Sequence, residues 1–252
     1  MKMAYKRIDN ENNNDNDMSA TEYLDVTWSE LFYSIITAGR LNPLYSLNCP
    51  QYSIYEGMYK VFLLRAMLDV DNNDNIVQSN TYANLEPTEK GMASFYLGMM
   101  TTALLTRRLL NFQFVIHLHF LEQIGVSIPR RTQYKPDFIA YDALLNQYAV
   151  LESKGRSNGM CNEALGKGKT QTQSILDING VIPTFRYVCM TYFSERELSA
   201  IFQDPRGTDK KAFSIEFDKN HFFQMYYKSF FDLKKKDRFF IYEIYFRRII
   251  LA

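Results

Sequence analysis

Residues 135–157 read KPDFIAYDALLNQYAVLESKGRS, and how this stretch is read decides the rest of the chain. Two apolar runs, KPDFIAYD and YAVLESKGR, flank a polar break and predict two strands joined by a turn near Leu145 to Gln147. On a strand the side chains alternate, so Glu152 and Lys154 project to one face and Ser153 to the other. If the preceding strand runs antiparallel, Asp137 arrives at the same end as Glu152. Two carboxylates then converge beside one ammonium.

Such a set suits a hard divalent cation. Carboxylate oxygens bind Mg²⁺, which keeps several waters and takes a phosphate oxygen into its shell. Without the ion, two close carboxylates repel and one tends to hold a proton. An ExK tripeptide taken alone is common, and a solvated hairpin is its plain reading. The proline–aspartate pair, the apolar strand residues Tyr148 to Leu151 and the neighbouring elements change that balance.

Upstream, Pro87 and Thr88 precede Glu89 and a long apolar-rich segment ending in a basic pair, which predicts a helix over about 88–110. The run FQFVIHLHFL, 112–121, predicts a buried strand. Downstream, NEALGKGKTQTQSILD predicts a helix weakened by its glycines, with Leu165, Ile175 and Leu176 on its inner side. TFRYVCMTYF, 184–193, predicts another strand. The order over 88–193 is helix, three strands, helix, strand. That order argues for a mixed α/β sandwich and against a fully alternating Rossmann pattern.

Pro136-Asp137, then Glu152-Ser153-Lys154, set in this order of elements, resemble the PD-(D/E)xK nuclease superfamily with its restriction-endonuclease-like fold. The resemblance covers some two-fifths of the chain. It implies an α/β core with a central mixed β-sheet flanked by helices (αβββαβ), carrying N- and C-terminal additions. It also implies Mg²⁺-dependent hydrolysis of DNA phosphodiester bonds, with Mn²⁺ as a substitute metal. Asp137, Glu152 and Lys154 would be catalytic. Asp137, Glu152 and the backbone carbonyl of Ser153 would hold the metal, and Glu89 is the best match for the helix-borne glutamate that many members add. Some members place a glutamine or lysine on the helix after ExK, and Lys167, Lys169, Gln171 and Gln173 occupy that region. Residues two apart on a helix do not share a face, so Lys167 and Gln171 are the preferred pair. Enzymes of this kind serve bacterial defence, transposition or repair.

Charge agrees locally. The net charge of +1 argues against a polybasic nucleic-acid binder, yet residues 130–175 carry seven basic and four acidic side chains, whereas residues 1–30 carry three and seven. Arg156 in GRSNG, with Lys167 and Lys169 in GKGKT, suits approach to a nucleic-acid backbone, and GKGKT lacks the full Walker spacing. His117 and His119 would share a strand face but have no third ligand at recognisable spacing, and a structural histidine is the favoured reading. KKKDR, 234–238, is either a solvated turn or an extension of a phosphate track. With 18 Tyr and 19 Phe, the chain suits a strand-containing core and, equally, aromatic surfaces that stack on bases.

The rest of the chain divides by composition. Residues 1–20, with DNENNNDND at 9–17, read as a disordered leader, 21–86 as a helical extension with a helix at YEGMYKVFLLRAMLD, 87–193 as the core and 194–252 as an α/β extension packed on it. Within that extension, AFSIEF and RFFIYEIYF read as strands and HFFQMYYKSFFDL as a helix. Three cysteines without a CxxC pair suggest neither a disulfide framework nor a Cys-rich zinc site. There is no signal-peptide pattern and no membrane-length apolar run, so a cytoplasmic protein is expected. Cutting both strands with one centre per chain makes a homodimer reasonable. The competing function class is a nuclease-like domain that binds nucleic acid or a protein partner in a larger assembly without cutting, motivated by the long stretches 21–86 and 194–252.

Overall fold

The computed structural model describes residues 1–9, 20–38, 52–129, 135–204 and 212–235. Its strands are β1 (Lys2–Asp9), β2 (Glu22–Asp25), β3 (Leu68–Val70), β4 (Ile76–Gln78), β5 (Phe114–His117), β6 (Phe138–Asp142), β7 (Gln147–Gly155), β8 (Ile175–Ile178), β9 (Phe185–Ser194), β10 (Glu197–Asp204) and β11 (Phe213–Ile215). Its helices are α1 (Trp28–Thr37), α2 (Tyr52–Met67), α3 (Asn80–Asn84), α4 (Pro87–Leu110), α5 (Leu118–Gln123), α6 (Asn162–Thr172) and α7 (Lys219–Lys235).

A mixed sheet runs β2-β1-β10-β9-β7-β6-β5, with β4 added against β10 and β3 against β4. Strands β5, β6 and β7 are successive antiparallel neighbours, whereas β7 and β9 are parallel. A parallel pair needs a long crossover, here α6 and β8. The fold is therefore α/β, a mixed central sheet flanked by helices. Among the described residues, no helix is long and apolar enough to cross a membrane.

Helix α4 forms where the sequence places it because its ends are well specified. Pro87 stands in the first turn, Glu86 and Glu89 close a reciprocal capping box, and Asn111 at φ 58° ends the helix in the left-handed region. Its long buried row, including Leu97, Met100, Leu104 and Leu105, packs into the main core with Phe138, Ala149 and Leu151. On the opposite face, Tyr148, Val150 and Ile139 join Ile175, Ile178 and Phe222 from β8 and α7. Burial of a residue such as Leu151 or Val150, both at 0% exposure, contributes about 1.5–3 kcal/mol relative to leaving it in water. Strand β7, buried on both faces from Tyr148 to Leu151, is the centre of the molecule.

Several expectations are corrected. Lys2–Asp9 is not leader but strand, because Met3 and Ala4 are fully buried and β1 bonds β10 on one edge and β2 on the other; residues 10–19 lie outside the described residues. The strand expected over 112–121 stops at His117, where α5 begins. The helix after ExK ends at Thr172, and Ile175 and Leu176 belong to β8. Segment 21–86 carries three short strands as well as helices, and β10 is no peripheral addition but a central strand between β9 and β1. RFFIYEIYF and the end of KKKDR lie outside the described residues.

Candidate functional site

The register of the β6–β7 hairpin builds the site. Phe138 pairs with Leu151, so the next step outward sets Asp137 against Glu152 at the open end of the hairpin. The Asp137 N–H donates to Glu152 Oε2 at 3.0 Å, and the Ser153 N–H donates to Asp137 Oδ2 at 2.9 Å. The Glu152 carboxyl is thus tied to the Asp137 backbone and the Asp137 carboxyl to that of Ser153. Leu118, starting α5, donates its N–H to the Asp137 carbonyl at 2.8 Å and holds this end from the other side.

Alternation along β7 sorts the faces. Ser153 faces α4, since a Cβ on Gly98 would sit 3.0 Å from its Oγ, while Glu152 faces α6, whose Gly168 would place a Cβ 3.5 Å from Glu152 Cγ and 2.7 Å from Val188 Cγ1. The glycine of GKGKT therefore lets the helix lie close over the carboxylate. On that same face the Lys154 ammonium donates to Glu152 Oε1 at 2.5 Å and to Gln171 Oε1 at 2.6 Å. The Gln171 amide is oriented in turn, because its Nε2 donates to the Lys135 carbonyl at 3.0 Å.

Electrostatics follow from this enclosure. Glu152 is 2% exposed, and burial, then the Asp137 charge, push its carboxyl up to about 8 against the pull of Lys154. Burial also raises Asp137, against the Ser153 N–H and Lys154. Two carboxyl groups held together in this way favour a positive partner beyond the single ammonium. Among the described residues no group of three or more His, Cys, Asp and Glu side chains gathers as a metal cluster. The fit to Mg²⁺ therefore rests on two carboxylates and a carbonyl, an all-oxygen donor set of the kind a hard cation takes while keeping its waters.

The other sequence candidates separate. Glu89 accepts the Glu86 N–H at 3.3 Å in the α4 cap, and α4 packs on the face opposite the carboxylates, so the structure does not bring it to the centre. Gln171 is at the centre, next to the buried row Leu165, Gly168 and Thr172. Lys167 is 66% exposed and pairs with Glu163 at 2.6 Å, so the expected Lys167–Gln171 pair does not converge. Lys169 is half-buried, on the other flank of that row by helical spacing. Arg156 extends the β7–β9 pairing by donating its N–H to the Thr191 carbonyl at 2.8 Å; its Nε is buried without an acceptor, and its charge helps Lys167 lower the Glu163 carboxyl.

His117 and His119 do not share a strand face. His117 caps α5, its Nδ1 accepting the His119 N–H at 3.2 Å, and burial pulls its ring down to about 4. His119 instead lies in the open beside Glu122 and Gln123. Sequence reading missed the Lys135 carbonyl that orients Gln171 and the Glu122 carboxylate that pairs with Lys135 at 2.8 Å. Only the position of Lys135 directly before Pro136-Asp137 hinted at either. Comparison with protein-family models, curated proteins and solved structures finds no match to this chain.

One pH effect is expected here. The folded state holds the Glu152 proton more tightly than an ordinary glutamate at 4.5, so the stability it contributes is complete below that value and is lost as pH rises through about 8. A divalent cation bound there would replace that proton, and its affinity should rise by up to about tenfold per pH unit below that point. Thermal melts with and without Mg²⁺ should show a larger metal-induced shift at alkaline than at mildly acidic pH. Equal shifts would contradict the proton–cation exchange.

Proposed function

We propose that the chain is a metal-dependent nuclease that hydrolyses DNA phosphodiester bonds and has a restriction-endonuclease-like core. The observation that carries this reading is the convergence of Asp137, Glu152, Lys154 and Gln171 at one end of β7. It is supported by the order α4, β5, β6, β7, α6, β9, interrupted by α5 after β5 and by β8 after α6, in which three antiparallel strands of the main sheet are followed by a parallel fourth.

Asp137, Glu152 and the Ser153 carbonyl would hold Mg²⁺. When bound, that ion polarises the phosphodiester and lowers the pKa of a coordinated water. The protein's own groups prepare the place. Glu152, whose proton burial holds, would have to release it to take the cation, and Asp137 is fixed in place by the Ser153 N–H. Lys154, aimed by Gln171, sets a preorganised positive charge where negative charge develops on the phosphate oxygens. Ligands at the end of a strand buried from Tyr148 to Glu152 are stiffer than ligands on a loop.

The test is incubation of the purified protein with plasmid, linear duplex and single-stranded DNA in Mg²⁺, Mn²⁺ or EDTA. Cutting in either metal and none in EDTA is expected. Salt-dependent DNA binding with no cutting under any metal would favour the binding-only class instead.

A further inference from the structure

We infer that Lys135 is a substrate-contacting residue that takes a DNA backbone phosphate next to the one being cut, and that Glu122 occupies it in the free protein. The inference rests on the nucleic-acid reading of the centre and adds a contact to it. Three observations carry it. First, Lys135 is built into the frame of the site: its carbonyl accepts the Gln171 amide that holds Lys154, and two residues later the Asp137 N–H is bound to Glu152. Its Cα is therefore fixed relative to the centre. Second, its ammonium lies at the rim, with the side chain 28% exposed and paired at 2.8 Å to Glu122, itself 35% exposed. Third, Glu122 sits on α5, which is anchored to the same segment through the Leu118 N–H and the Asp137 carbonyl.

An ion pair this open to water contributes little to stability. It holds the ammonium in place at small cost to exchange. A phosphate oxygen offers Lys135 an equivalent anionic acceptor and releases counterions from the DNA when it binds. Glu122 retains a second partner after the exchange, since its Oε2 faces His119 Nδ1 at 3.4 Å. The rim thus presents a lysine that is pre-placed but not committed. Lys167, paired with Glu163 on α6, has the same kind of partner but lies on the exposed side of its helix, 66% open to water.

The experiment is fluorescence anisotropy of a labelled duplex and a labelled single-stranded oligonucleotide with the full chain, over a salt series in Ca²⁺, a hard oxygen-seeking cation. Binding by Lys135→Ala should weaken about tenfold at low salt, as for loss of a charge-assisted hydrogen bond. Its log–log salt slope should flatten by about one. Lys135→Arg should bind as wild type, and Glu122→Gln should bind about threefold tighter, because the competing carboxylate is gone. Circular dichroism melts of each variant separate these effects from misfolding. Wild-type affinity and slope in Lys135→Ala would overturn the inference, as would absence of DNA binding by the wild type. Lys135-dependent binding by a protein that cuts nothing would sink the nuclease reading and leave this contact standing. Full cleavage with Lys135-independent binding would do the reverse.

Discussion

Replacing Lys154 by alanine is expected to lower DNA cleavage by about 100- to 1000-fold while the protein remains folded, the range found when one preorganised charge or donor at a transition state is removed. The ammonium is held from two sides, by Glu152 Oε1 and Gln171 Oε1, so it is aimed before substrate arrives. Its loss removes the cation that, among the described residues, pulls the Glu152 carboxyl down against burial and the Asp137 charge. Glu152 should then hold its proton more firmly, and the metal requirement should shift to higher concentration and higher pH. Gln171→Ala should produce a weaker version of the same change, because it frees the ammonium without deleting it. Single-turnover cleavage at several Mg²⁺ concentrations separates lost transition-state stabilisation from lost metal affinity. Undiminished cutting by Lys154→Ala would remove this residue from the reaction.

The largest effect on stability is expected at Gly155. A Cβ there would lie 1.8 Å from the Ser94 carbonyl oxygen and 2.4 Å from the Ser94 carbonyl carbon, both backbone atoms of α4. A helix backbone cannot swing away as a side-chain tip can. Gly155→Ala must push α4 off β7 and should cost at least about 3 kcal/mol, the upper end for overpacking. The melting temperature should fall on the order of 10 °C. Gly168→Ala meets a Val188 methyl instead, which can rotate, and should be much milder. A thermal melt of the two variants side by side checks the order; equal loss in both would mean that α4 is not seated as described.

The parts of the fold that were legible in the sequence are those whose signals are local. Helix α4 announces itself by its cap, and the β6–β7 hairpin by its apolar runs, with the Asp137–Glu152 juxtaposition following from antiparallel pairing alone. Strand β1 was hidden because Met3 and Ala4 are both buried, which erases alternation, and because an acidic amide tract follows at once. Strand β10 escaped for a different reason. Its hairpin with β9 turns at Glu195 and Arg196, with φ of 47° and 81°, without the Asn-Gly or Asp-Gly pair that usually marks such a turn. The helix cap at His117 was likewise unreadable, since histidine is not a usual capping residue.

At the site, strand alternation sorted Glu152 and Lys154 from Ser153, because a period of two leaves no freedom. The helix-borne groups were harder. Gln171 reaches Lys154 and Lys167 does not, although four residues separate them, because Lys167 pairs back to Glu163, four residues in the other direction. Glu89 has the right chemistry, but it closes the cap of a helix packed on the wrong face. Side-chain reach and partner competition are tertiary facts, and no spacing rule carries them.

The central claim is that Asp137 and Glu152 are two halves of one cation site. Calorimetric titration of Mn²⁺ into the full chain above pH 8 tests it most directly. The expected result is one ion bound per chain, lost in Asp137→Ala and in Glu152→Gln and kept, though more weakly, in Lys154→Ala. Binding that survives both carboxylate substitutions, or no binding by the wild type, would contradict the account.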